Sequence, residues 1–146
     1  MKKTLLIAIA MIISSLTLSI RADDKRIDQT QLPQDARMFI ARHFPNDEIL
    51  YAEQDKGMFS SDFEVVLKSG ARIEFDSRGN WTEVSSRKVA VPTSIIPAKI
   101  SQYVGANYPD RSIREITREG SKYEVELTGG TDLVFGSKGE FIRVDD

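Results

Sequence analysis

The sequence predicts an α+β fold: a tandem repeat of one helix packed on a four-stranded antiparallel meander, in two copies. Three observations carry this. The chain resembles itself over some fifty residues, each copy opens with a helical apolar stripe between two prolines, and each continues with period-two alternation broken by glycine turns. At an offset of 64, Leu32-Pro33 matches Ile96-Pro97, Phe39 matches Tyr103, Ile40 matches Val104 and Phe44-Pro45 matches Tyr108-Pro109. Beyond a longer turn around Lys56-Gly57-Met58 the offset falls to 60. There Phe63-Glu64-Val65 meets Tyr123-Glu124-Val125, Gly70 meets Gly130, Phe75 meets Phe135, Gly79 meets Gly139 and Trp81 meets Phe141.

The elements follow in chain order. Met1-Lys2-Lys3, an apolar stretch from Thr4 to Ile20, and Ala22 before Asp23-Asp24 have the three-part layout of a secretory signal peptide over residues 1–22, cleaved after Ala22. The rival reading is an uncleaved anchor, for which the stretch is at the short end of the roughly 17–25 residues a span needs. Either way, everything after Ala22 lies outside the cytoplasm. Residues 23–31 show no pattern and read as a flexible tail.

The first unit covers 32–88. Ala36, Phe39, Ile40 and Phe44 make one helical stripe, with Pro33 suited to a first turn and Pro45 ending the helix. Strands are predicted at about 48–55, 61–68, 71–76 and 81–86, where Phe63, Val65 and Leu67 alternate with Glu64, Val66 and Lys68. Residues 89–95, with Pro92, form a connector. The second unit, 96–146, repeats the pattern with Ile100, Tyr103, Val104 and Tyr108 on its helix, and strands at about 112–119, 121–128, 131–136 and 140–145.

Composition narrows the function. With 40% hydrophobic and 29% charged residues over 146 positions, the chain has enough apolar content to fold. Loss of Lys2, Lys3 and Arg21 with the leader takes the net charge from −2 to −5, and no Lys/Arg run marks a nucleic-acid stripe. No nucleic acid is expected as a partner, and no stable membrane span once the leader is removed. The absence of cysteine removes disulfides, zinc-thiolate sites and thiol nucleophiles.

The residues quoted above, with Ile73-Glu74-Phe75-Asp76, Gly79-Asn80-Trp81, Glu83-Val84 and Val91-Pro92, resemble the PepSY-like family of exported bacterial proteins of unknown function, whose fold is similar to that of the β-lactamase-inhibitor protein. The resemblance covers residues 32–145. It implies a broad curved sheet surface formed by the two units, a periplasmic or secreted setting, and binding rather than catalysis. Gly136 departs from the first unit, which has Asp76 at that place.

The chemistry sought is mostly missing. His43 is the only histidine, so neither a His-rich metal site nor a relay is available, and a helix-end position suits it structurally. No Gly-x-Ser-x-Gly elbow is present, and Gly136-Ser137-Lys138-Gly139 reads as a hairpin turn. Trp81 reads as a core anchor under the helix, its rival role being an exposed contact for a partner. Carboxylates on neighbouring strands remain. Glu64 and Glu74 share a face with Val66 and Arg72, and Glu124 and Glu126 are placed alike in the second unit. Arg72 and Lys68 beside the first pair suggest cross-strand charge pairing, and an open face lacks the pocket that acid–base chemistry needs.

These six residues, Glu64, Val66, Arg72, Glu74, Glu124 and Glu126, form the expected protein-binding face. The chain reads as a non-catalytic extracytoplasmic module for an unidentified protein partner, inhibition of an envelope or secreted enzyme being a specific version. The alternative is a small-ligand or cation-sensing periplasmic domain. No cofactor, no catalytic residue and no metal ligand is expected.

Overall fold

The computed structural model of the protein describes residues 24–57 and 61–145. The leader at 1–22 and its cleavage after Ala22 lie outside the described residues. In chain order the elements are β1 (Asp24–Ile27), a 3₁₀ turn (Gln29–Gln31), α1 (Gln34–His43), β2 (Ile49–Lys56), β3 (Ser61–Leu67), β4 (Arg72–Phe75), β5 (Trp81–Ser85), α2 (Ala98–Asn107), β6 (Ile113–Glu119), β7 (Lys122–Leu127), β8 (Asp132–Phe135) and β9 (Phe141–Val144).

Among the described residues all nine strands belong to one antiparallel sheet in the order β1 to β9, each hydrogen-bonded to its sequence neighbours. This corrects the expectation of two helix-plus-meander units. The described residues are mostly one continuous sheet with two α-helices on it. The join is β5 on β6, where Glu83 pairs with Thr117, Val84 with Ile116 and Ser85 with Glu115. Val84 and Ile116 are both fully buried there, so apolar burial drives the join as well as strand pairing. The core is correspondingly one cluster: Ala36 and Ile40 of α1 and Ile100 and Val104 of α2 belong to it together with Val65, Phe75, Val125 and Phe135 of the sheet. Val91, Ile95 and Ile96, between β5 and α2, are buried in it too.

A second correction concerns the start of the chain. The stretch read as a flexible tail contains β1, which pairs with β2 from Asp24 on Asp55 to Ile27 on Ala52. Asp28 then caps the 3₁₀ turn: the Thr30 N–H donates to its Oδ1 at 2.9 Å, and the Gln31 side chain accepts from the Asp28 N–H at 3.0 Å. With four residues and no long alternation, β1 gave sequence reasoning too little period to detect.

Each helix starts immediately after a proline and ends one residue short of another, at Pro33 and Pro45 for α1 and at Pro97 and Pro109 for α2, with Phe44 and Tyr108 in between. Both are too short to persist alone in water. Aromatic contacts dock them. Phe39 meets Phe75 edge-on at 5.6 Å between ring centroids, and Tyr103 meets Phe135 edge-on at 5.5 Å while stacking on Phe141 at 4.4 Å. Trp81 is half-buried against this core, its ring 6.2 Å from Phe39, with Arg118 over it at 5.1 Å.

Two turns bring the sheet against the helices, and they are held differently. In the turn from β4 to β5, Asp76 accepts from the N–H groups of Arg78 and Asn80, each at 2.9 Å. In the turn from β8 to β9 a Cβ on Gly136 would collide with the Glu140 carboxylate, which accepts from the Lys138 N–H at 3.0 Å. Glu140 thus stands where Gly136 leaves room and takes over part of the role Asp76 has in the other turn. Replacing Asp76 by Ala is expected to cost about 2 kcal/mol and Glu140 by Ala about 1 kcal/mol in urea unfolding, because Asp76 serves two backbone donors and Glu140 one.

Candidate functional site

A sheet with both helices on one side presents its other side to solvent, and alternation decides what stands there. Phe63, Val65 and Leu67 point to the helices, so Asp62, Glu64 and Val66 point away. Pairing then propagates the choice from strand to strand. Glu53 of β2 is opposite Glu64 of β3, Glu64 opposite Glu74 of β4, and Glu74 opposite Glu83 of β5. Four glutamates on four consecutive strands form a row, continued through Thr117 of β6 to Glu124 of β7. A second row runs from Tyr51 through Val66, Arg72, Ser85, Glu115 and Glu126 to Asp132.

The six residues singled out from sequence therefore all lie on one face. Because the sheet is continuous, that face is shared by the Glu64/Glu74 and Glu124/Glu126 pairs. Arg72 pairs with Glu64 at 3.3 Å, while Lys68 reaches Glu48 instead. Arg114 stands 3.9 Å from Glu126, and Arg26 3.5 Å from Glu53. Sequence reasoning missed Glu53, Glu83 and Glu115. Their alternation was visible within each strand, but which strand each would stand beside depended on the join of β5 to β6 and on the bulges in β2, β5 and β6.

Like charges opposite one another on adjacent strands are unfavourable, and together with burial they raise carboxyl pKa values across the face. Burial, with Glu115 and Glu74 nearby, pushes the Glu83 carboxyl up to about 8. Burial and then Glu126 and Asp132 push Glu115 up to about 7. Glu124 is raised by burial and by Asp132, and Asp62 by burial and by Asp55. The centre of the face is thus only partly ionised at neutral pH.

At the β2–β4 end the face dips into a concavity of about 310 Å³, lined by Glu53, Asp55, Asp62, Glu64, Glu74 and Thr82 with parts of Phe63 and Phe75. The sequence expectation was of an open face without a pocket, and in this corner there is one. Among the described residues, however, no three carboxylate or histidine groups are arranged to hold a metal ion.

His43 lies elsewhere, at the end of α1. Its ring is 4.5 Å from Phe39, and its Nδ1 is 2.8 Å from the Ser94 hydroxyl, a contact that ties α1 to the segment before α2. Burial first, and then Arg42, lower its affinity for a proton.

The family profile described as "Putative beta-lactamase-inhibitor-like, PepSY-like" matches residues 61–143. Among solved structures, a "putative calcium-regulated periplasmic protein" of Bacteroides thetaiotaomicron is 40% identical with a TM-score of 0.82, over 86% of this chain and 98% of its own. A periplasmic protein of the DUF2874 family from Bacteroides vulgatus is 37% identical with a TM-score of 0.80, over 86% of this chain and 99% of its own. Another from Bacteroides vulgatus, of unknown function, is 33% identical at 0.80, over 84% and 99%. No curated protein matches the chain. Among the described residues no helix is long and apolar enough to cross a membrane.

Proposed function

The chain belongs to the PepSY-like family, and from that premise we propose that it is a non-catalytic periplasmic module that binds another protein through the sheet face opposite its helices. One observation carries the reading: the uninterrupted glutamate row from Glu53 to Glu83, set on a continuous sheet at a cost in cross-strand repulsion. Folds tolerate such local conflict where a surface is used. The periplasmic setting rests on the leader-like residues 1–22 and on the periplasmic relatives. The non-catalytic reading rests on the content of the face, where, among the described residues, the acids stand without a histidine or an activated nucleophile beside them.

The test is crosslinking capture from the source organism's envelope with residues 23–146, beside the Glu64→Lys/Glu74→Lys variant. The wild type is expected to retain a protein that the variant, still folded by circular dichroism, loses. Equal capture by both would remove this face as the binding surface.

A second reading, response to a divalent cation, is favoured by the carboxylate-lined concavity and by the calcium regulation named for the Bacteroides thetaiotaomicron relative. It requires calcium to raise the melting temperature. A ligand at a hundred times its dissociation constant stabilises by about 2.7 kcal/mol. A shift of that order, abolished by Asp62→Asn/Glu64→Gln, would establish the cation reading, and an unchanged melting curve at millimolar calcium would dismiss it.

A further inference from the structure

Resting on the binding reading above, we infer that the partner surface is a basic helix, laid across β2 to β5 with its lysines or arginines over the Glu53–Glu64–Glu74–Glu83 row. Charge complementarity is the first argument. The open face carries Glu53, Asp55, Asp62, Glu64 and Glu74 on these four strands, with Glu83 largely holding its proton at neutral pH, against Arg72 on the same strands and Arg26 from β1. The opposite layer has the reverse bias, with Arg37 and Arg42 on α1 and Lys99 on α2 exposed to solvent against Asp35 of α1. The molecule is therefore electrically two-sided, and a cationic partner is steered to the sheet side.

Spacing is the second argument. Carboxylates on adjacent strands recur every 4.7–4.9 Å, so the four span about 14 Å. Side chains at i, i+3/i+4 and i+7 on a helix recur at about 5–6 Å, and about ten helical residues cover the same length. An extended strand presents its same-face side chains roughly 6.6 Å apart and falls out of step with the row after two positions. The sheet face beneath is nearly all polar, so the contact is an electrostatic one of moderate affinity, formed fast and weakened by salt.

The experiment uses residues 23–146 and two fluorescein-labelled alanine-based peptides of equal charge, one with lysines at i, i+4, i+7 and i+11, the other with lysines at every second position and a central proline. Anisotropy is expected to show binding of the helical peptide at least fivefold tighter than the other. A tenfold or greater loss is expected between 50 and 200 mM salt, and loss of binding in Glu53→Gln/Glu64→Gln/Glu74→Gln. Equal affinity for both peptides would overturn the helix assignment, and salt-insensitive binding or an unaffected variant would overturn the charge assignment. Light scattering runs alongside: concentration-dependent assembly that the triple variant abolishes would assign the face to the basic helix layer of another copy and overturn the proposal. Envelope capture that depends on Glu64 and Glu74 but survives 500 mM salt would refute the basic helix while leaving the binding module standing.

Discussion

Glu83→Gln is expected to make the protein more stable, and more so as the pH rises. The folded state holds the Glu83 proton up to about 8, against an ordinary value of 4.5. A carboxyl raised on folding favours the folded state fully below the unfolded value, and that advantage is lost as pH climbs through the folded value. Between pH 4.5 and 8 the wild type therefore loses stability, and Glu115, raised to about 7, adds to the loss over the lower part of that range. Glutamine copies the protonated carboxyl in shape and cannot ionise. Allowing for partial solvent access and coupling between the two acids, the gain at pH 8 is about 2–3 kcal/mol, falling to near zero at pH 4.5. Urea unfolding of both proteins across that range checks it. Parallel stability–pH curves would show that Glu83 is ionised in the folded protein throughout.

Gly79→Ala is expected to be strongly damaging for the addition of a single methyl group, at about 3–4 kcal/mol. Two independent penalties combine. The backbone at Gly79 has φ of +90°, where an L side chain is strained. A Cβ there would also stand 2.8 Å from Cβ of Pro33 and 2.9 Å from the backbone nitrogen of Ala36, at the start of α1. Backbone nitrogen cannot swing aside as a side chain would, so the turn or the helix must shift. Gly130→Ala provides the control. Its φ of +84° is similar, but a Cβ there meets nothing within 4 Å, so its cost is expected to stay near 1 kcal/mol. If the two variants unfold at the same urea concentration, the turn does not bear on α1 in solution.

The alternation of Phe63, Val65 and Leu67 with charged neighbours, and the proline pairs around each helix, placed eight strands and both helices within about two residues of where they stand. Those are local signals, written in periods of 2 and 3.6. What stayed hidden was everything that depends on which strand lies beside which. Val84 reads the same whether β5 ends a sheet or continues into Ile116 of β6, so two units could not be told from one sheet. The same ambiguity hid the site. Glu64 and Glu74 sit in one hairpin and were legible as a pair, whereas Glu83 and Glu115 come together only through the join. β1 was too short to announce itself.

The strand order has a consequence for how the molecule comes into being. Every strand pairs only with strands next to it in the sequence, β1 through β9 without a crossover. Contact order is accordingly low for so β-rich a protein, and loop-closure entropy is met in small instalments. A chain that arrives end-first from a narrow passage can lay each strand on the previous one as it appears, with α1 and α2 closing over the growing face in turn. No strand has to wait for a distant strand, although α1 docks only once Phe75 of β4 has arrived, and the exposed edge at any moment is the one the next strand is about to cover.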